Sequence, residues 1–132
     1  MRTQIGRFGK ATERPTVDQA AVLTKAVTRA AERLGMTNAN LAQVLGVSEP
    51  SVSRMKSGRY VLGLEKKEGE LGILFVRLFR GLDAVLGGDE NAERSWLKAE
   101  NTALGDRPIK LIQTITGLIN VVEYVDSRRA RI

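Results

Sequence analysis

The chain has 132 residues, 42% hydrophobic and 27% charged, which suits one ordinary domain or two very small ones and a soluble globular protein rather than a disordered one. It contains no cysteine and no histidine, so a disulfide framework, thiolate chemistry, the usual zinc ligands and the usual general base near neutral pH are excluded. The net charge of +6 lies in one half: residues 1–64 hold ten Lys/Arg against four Asp/Glu, and residues 65–132 hold eleven of each. A polyanionic partner is therefore expected for the first half and a different task for the second.

Residues 1–17 read as a flexible basic arm carrying Arg2, Arg7, Lys10 and Arg14, of a kind able to reach a DNA minor groove. Asp18 has the side chain of a helix N-cap. Leu23, Val27, Ala30, Ala31 and Leu34 then fall at helical spacing, and Gly35 stops the helix. Thr37 caps a second helix from Asn38 to Leu45, closed by Gly46. Ser48 caps a third from Glu49 to about Lys56, with Pro50 in the first turn, where a missing N–H does little harm. The segment GRYVLGLEKKEGE reads as a connector loosened by Gly58, Gly63 and Gly69, and the boundary between two domains is placed in it, after residue 64.

A long helix is predicted from about Glu70 to Leu86. Leu71, Leu74, Phe75, Leu78, Leu82 and Val85 form one apolar stripe. Ile73, Val76 and Phe79 form a second, which meets either another subunit or the core of its own domain. Gly87-Gly88 breaks the chain, Asp89 caps a short helix through Leu97, and Pro108 opens another reaching about Ile115. A last helix begins near Gly117, with Leu118, Val121, Val122 and Val125 at helical spacing. Trp96 is expected to pack the short helix onto the long one, and Asn101 and Asp106 to serve as turn residues. No strand alternation is present, so the fold class is all-α. The longest apolar stretches are broken by Arg77, Arg80 or Glu123, so no membrane span is expected. The N-terminus lacks the apolar region of a secretory signal, and a cytoplasmic location follows by default.

The most specific motif is NANLAQVLGVSEPSVSRMKSG. Ala42 is small enough for two helices to cross closely, and Gly46, four residues on, permits the backbone of a tight turn. Leu41, Leu45, Val47, Val52 and Met55 supply shared apolar contacts. Together these resemble the helix-turn-helix of the phage-repressor and Cro group, the Xre family, over roughly Asp18 to Gly58. The resemblance implies that helix 49–57 lies in the major groove of operator DNA. Glu49, Ser51 and Arg54 are then the outward residues, with Ser53 beside them. Arg54 suits a bidentate contact to guanine, and Glu49 can accept from a cytosine amino group. Asn38, Gln43, Lys56, Ser57 and Arg59 are placed for phosphates, which fix position without reading sequence. Ser48, at the helix start, completes the DNA-binding set.

In the second half, Trp96-Leu97, Asn101, Leu104-Gly105, Pro108, Leu111-Ile112, Thr114, Gly117, Val121 and Val125 are similar to the toxin-binding domain of Xre/MbcA/ParS-type antitoxins, over about Lys67 to Asp126. The resemblance implies a type II antitoxin whose partner is a co-encoded RES-domain toxin, a relative of ADP-ribosyltransferases that consumes NAD. It further implies a C-terminal segment that covers the toxin's active-site cleft, long helices that help build a homodimer, a higher-order toxin–antitoxin complex, and repression of the operon. Tyr124, Ser127, Arg128, Arg129, Arg131 and Ile132 are the expected toxin contacts, and Ile73, Val76 and Phe79 the expected dimer contacts. Arginines suit an anionic cofactor cleft, although a solvated helix end would carry the same residues. A plain dimeric repressor whose second domain only oligomerises is the alternative. An enzyme has no supporting motif, and neither catalytic residue, cofactor nor metal is expected.

Overall fold

The computed structural model describes residues 19–131; the arm read over residues 1–17, the Asp18 cap and Ile132 lie outside them. Seven helices form among the described residues. They are α1 (residues 19–33), α2 (Asn38–Leu45), α3 (Glu49–Lys56), α4 (Lys67–Val85), α5 (Glu90–Lys98), α6 (Pro108–Leu111) and α7 (Ile115–Arg129). The only extended pairing among the described residues is an isolated bridge between Asn101 and Asp106, which closes the turn joining α5 to α6. The Asn101 side chain accepts from the Leu104 N–H at 3.1 Å, and Asp106 accepts from the Arg107 N–H at 2.7 Å.

One apolar core runs unbroken from Val27 of α1 to Val125 of α7. The centre of it is α4, whose Leu71, Phe75, Leu78 and Leu82 are buried while Leu74 and Val85 are partly covered. It packs extensively against α7, and against α2 as well. Gly81 allows the close α4–α7 approach: a Cβ there would stand 2.8 Å from Val125 Cγ1. On α7, Leu118, Val121, Val122 and Val125 face this contact side and are buried. Leu97 of α5 and Ile112 are fully buried beside them. Trp96 is only partly buried and sits with Leu82, Val85 and Tyr124, so it bridges the end of α4 to α7.

Four features differ from the expectation. The connector is pinned rather than loose. Leu62 is buried, which contributes at most about 3 kcal/mol, and its N–H donates to Thr24 Oγ1 at 2.9 Å. Tyr60 donates to the Glu68 carboxylate at 2.8 Å, and the Gly63 N–H donates to it at 2.9 Å. Second, α4 begins at Lys67, a few residues early, because that same brace orders its first turn. Third, α6 is a single turn and α7 starts at Ile115, since Thr114 accepts from the Gly117 N–H at 3.0 Å and caps it. Gly117 lies inside α7, where a Cβ would stand 1.9 Å from the Leu111 carbonyl oxygen.

Fourth, the second stripe of α4 does not form one exposed face. Val76 is buried in the chain's own core. Phe79 is partly buried, with the Arg33 guanidinium 5.7 Å from its ring centre. Of the three, Ile73 alone is open, at 52% exposure.

Candidate functional site

Two surfaces emerge. On the first, α2 and α3 are joined by the turn at Gly46, whose φ of 69° is a left-handed conformation that a residue without a Cβ adopts freely. Thr37 and Ser48 cap the two helices through their hydroxyls, and Leu41, Ala42, Leu45, Val52 and Met55 are buried between them. This packing turns one face of α3 outward. Glu49, Ser53, Arg54 and Lys56 are exposed on it, and Arg59 follows beyond its end. The Lys56 ammonium donates to the Asn38 side-chain oxygen, tying α3 to the start of α2. Arg59 Nε donates to Ser57 Oγ at 3.1 Å, and its backbone N–H to the Arg54 carbonyl at 2.8 Å. Asn38, Lys56, Ser57, Arg59 and Arg54 thus sit along one polar edge.

One residue of the expected set lies elsewhere. Ser51 does not face outward: it is buried, and its hydroxyl is 2.9 Å from that of Ser48. The reason is local. Three residues after the cap, its side chain folds back on Ser48 and completes the capping pair, with Arg54 Nη2 at 3.5 Å. Gln43 is exposed, as expected, and lines a cleft of about 550 Å³ with Lys66, Lys67, Gln113 and Ile115. The brace of Tyr60 and Glu68 behind α3 carries no sequence signal, since the two residues meet only once the connector folds. That hydrogen bond, helped by burial and the Glu68 charge, raises the Tyr60 hydroxyl above its ordinary pKa, with Arg54 opposing.

The second surface is the end of α7. Its last turn carries Arg128 and Arg129, where cations suit the helix dipole. The two diverge. Arg128 lies 5.8 Å from the centre of the Tyr124 ring and donates to its hydroxyl at 3.2 Å, beside Trp96 and Leu86. Arg129 reaches the other side, where it rims a groove of about 660 Å³ together with Arg77 and Arg80. The floor of this groove is apolar, formed by Leu23 and Ala26 of α1, Leu64, and Ile73 and Val76 of α4. Ser127 and Arg131 are exposed, Tyr124 is half-buried, and Ile132 lies outside the described residues. Among the described residues, no helix is long and apolar enough to cross a membrane, and no cluster of acidic side chains could hold a metal ion.

A helix-turn-helix bundle continuous with a second helical unit that ends in a basic helix defines a regulator with an appended partner-binding domain. Two family models match it in that order: the antitoxin Xre-like helix-turn-helix domain over residues 13–77, and the antitoxin Xre/MbcA/ParS C-terminal toxin-binding domain over residues 81–131. The chain belongs to the Xre/MbcA/ParS antitoxins, with an Xre-like DNA-binding domain and a toxin-binding domain. The fold is similar to that of a chain in the crystal structure of the M. tuberculosis MbcT–MbcA toxin–antitoxin complex. The TM-score is 0.63 at 22% identity, over 84% of this chain and 96% of that one. No curated protein sequence matches it.

Proposed function

We propose that this antitoxin neutralises a co-encoded RES-domain toxin that consumes NAD, with the end of α7 covering the toxin's active-site cleft, and that it represses its own operon through α3. The observation that carries the reading is the order of the two matched domains on one chain, ending in a helix that presents Arg128 and Arg129, with Arg131 just beyond it. Guanidinium groups form paired contacts with carboxylate and phosphate, which suits a cleft built for an anionic cofactor. Arg54 is the base-reading residue on α3, while Asn38, Lys56 and Arg59 fix the backbone phosphates. Two copies associate along the α1–α4 groove, with Ile73 rather than Phe79 at the contact.

The test is growth rescue. The neighbouring reading frame, expressed alone, is expected to arrest growth, and the full chain to restore it. Deletion of residues 128–132 should abolish rescue while leaving operator affinity in a gel-shift titration unchanged. Full protection by the shortened chain would refute the role of the α7 end. A harmless neighbour would favour a plain dimeric repressor.

A further inference from the structure

The contact between α1 and the α4–α5 corner is a closed polar cluster that neither binding surface uses. Arg33, at the end of α1, donates from Nη2 to Glu93 Oε1 at 3.2 Å, to Asp83 Oδ1 at 3.4 Å and to the Gly88 carbonyl at 3.3 Å. Its Nε lies 4.0 Å from Glu90 Oε2. In the opposite direction, Arg94 of α5 donates from Nε to the Arg33 carbonyl at 2.9 Å and from Nη2 to the Glu32 carbonyl at 3.2 Å, which satisfies carbonyls that the end of α1 leaves open. Arg94 also pairs with Glu90 at 2.8 Å. Since α1 falls within the helix-turn-helix match and α5 within the toxin-binding match, the two halves exchange arginines across their junction.

Glu93 is the centre of the cluster and is fully buried. Its Oε2 and the Nε of Arg33 have no hydrogen-bond partner among the described residues, and a buried oxygen left so is costly while it carries charge. The charged groups acting on Glu93 are Arg33 of α1 and Asp83 of α4, and Arg33 and Arg94 each lie against Glu90 of α5 as well. Three carboxylates thus stand against two guanidinium groups. One proton on Glu93 makes the cluster neutral and turns an unpaired oxygen into a donor for Asp83.

We propose that this cluster is a proton-responsive clasp, in which Glu93 takes up one proton and its protonated form holds the helix-turn-helix half to the toxin-binding half more firmly than its anion does. Burial first, then the neighbouring Asp83 carboxylate, push the Glu93 carboxyl up to about 7, against the pull of Arg33. A native proton affinity above the unfolded one gives stability that is complete below the ordinary Glu value of 4.5 and is lost as pH rises through about 7. The junction is therefore tightest under mildly acidic conditions.

The experiment is a side-chain NMR titration of the full chain, labelled with ¹³C at Glu carboxyls and ¹⁵N at Arg Nε, from pH 4.5 to 8.5. One Glu carboxyl should titrate near pH 7, and the Arg33 and Arg94 Nε signals should move with the same midpoint. Glu93→Gln should remove that titration and flatten the fall of Tm between pH 5 and pH 8. A Glu93 carboxyl titrating in the ordinary range, or Arg signals that ignore it, overturns the proposal. Should Glu93→Gln fail to fold, Asp83→Asn keeps Glu93 and removes the neighbour that raises it. The midpoint should then move down, and an unmoved midpoint is equally fatal.

Discussion

At Gly81 and Gly117 a single methyl group separates two outcomes. A methyl at Gly81 would press on Val125 Cγ1, a buried side chain that can shift only by moving α7. A methyl at Gly117 would meet the Leu111 carbonyl, which is backbone and cannot turn away. Overpacking a filled core costs roughly 1–3 kcal/mol, so Gly81→Ala should lower stability by about that much in urea unfolding. Gly117→Ala should cost more and displace the α6–α7 turn. Equal and small losses for the two variants would mean that both contacts relax freely. Side chains at this scale are unevenly legible in the sequence. Val52 and Met55 lie on the apolar period of α3 and are buried as the period requires. Ser51 lies on the edge between two faces, and one hydroxyl contact to Ser48 decides its direction. Spacing alone has no access to such a contact.

Elements are legible where a capping residue precedes a clear apolar period. Thr37, Ser48 and Asp89 each cap the helix their positions suggest. Thr114 is hidden as a cap because it lies between Ile112 and Ile115, two apolar residues at helical spacing that read as one run of helix reaching Ile115. In the structure the chain turns there, Ile112 is buried and Ile115 is exposed, so the run divides between two elements. The cap is the reason α7 starts at Ile115, and loss of an N-cap hydroxyl costs about 1 kcal/mol. Thr114→Ala should therefore reduce stability by about that amount and raise amide exchange at residues 115–118, with the α1–α3 amides unchanged. Protection retained at 115–118 would show that the crossing over Leu111, not the cap, fixes the helix start. The connector misleads for a related reason: three glycines suggest looseness, yet Leu62 is tied to Thr24, 38 positions away, and the Glu68 brace to Tyr60 and Gly63 follows no apolar period.

At the scale of the molecule, the question is how much of its apolar surface one chain covers by itself. The second stripe of α4 suggests a wide dimer face, but the chain's own helices cover two of its three members: Val76 is core, and Phe79 lies beneath Arg33. Periodicity reports that a helix is apolar on two sides and is silent on what covers each side. Along the α1–α4 groove, Ile73 stays open together with Val22 at 66% exposure; Val61, Ile115 and Ile119 are exposed elsewhere. A helix-turn-helix that reads a two-fold operator needs two copies at a spacing set by their contact, so a dimer through this groove would govern DNA affinity as well as assembly. Ile73→Glu puts a carboxylate on a half-exposed position next to Arg77 and Arg80, where the monomer should tolerate it within about 0.5 kcal/mol. The same charge in the middle of an apolar contact leaves a buried anion and should break the dimer. Sedimentation velocity should show the wild-type chain as a dimer and the variant as a monomer with the same unfolding midpoint in dilute solution, and operator affinity should fall with the loss of the second half-site. A variant that sediments as the wild type does would place the dimer contact on another face. A wild-type chain that is itself monomeric would leave the groove free for the toxin, beside the Arg129 that rims it.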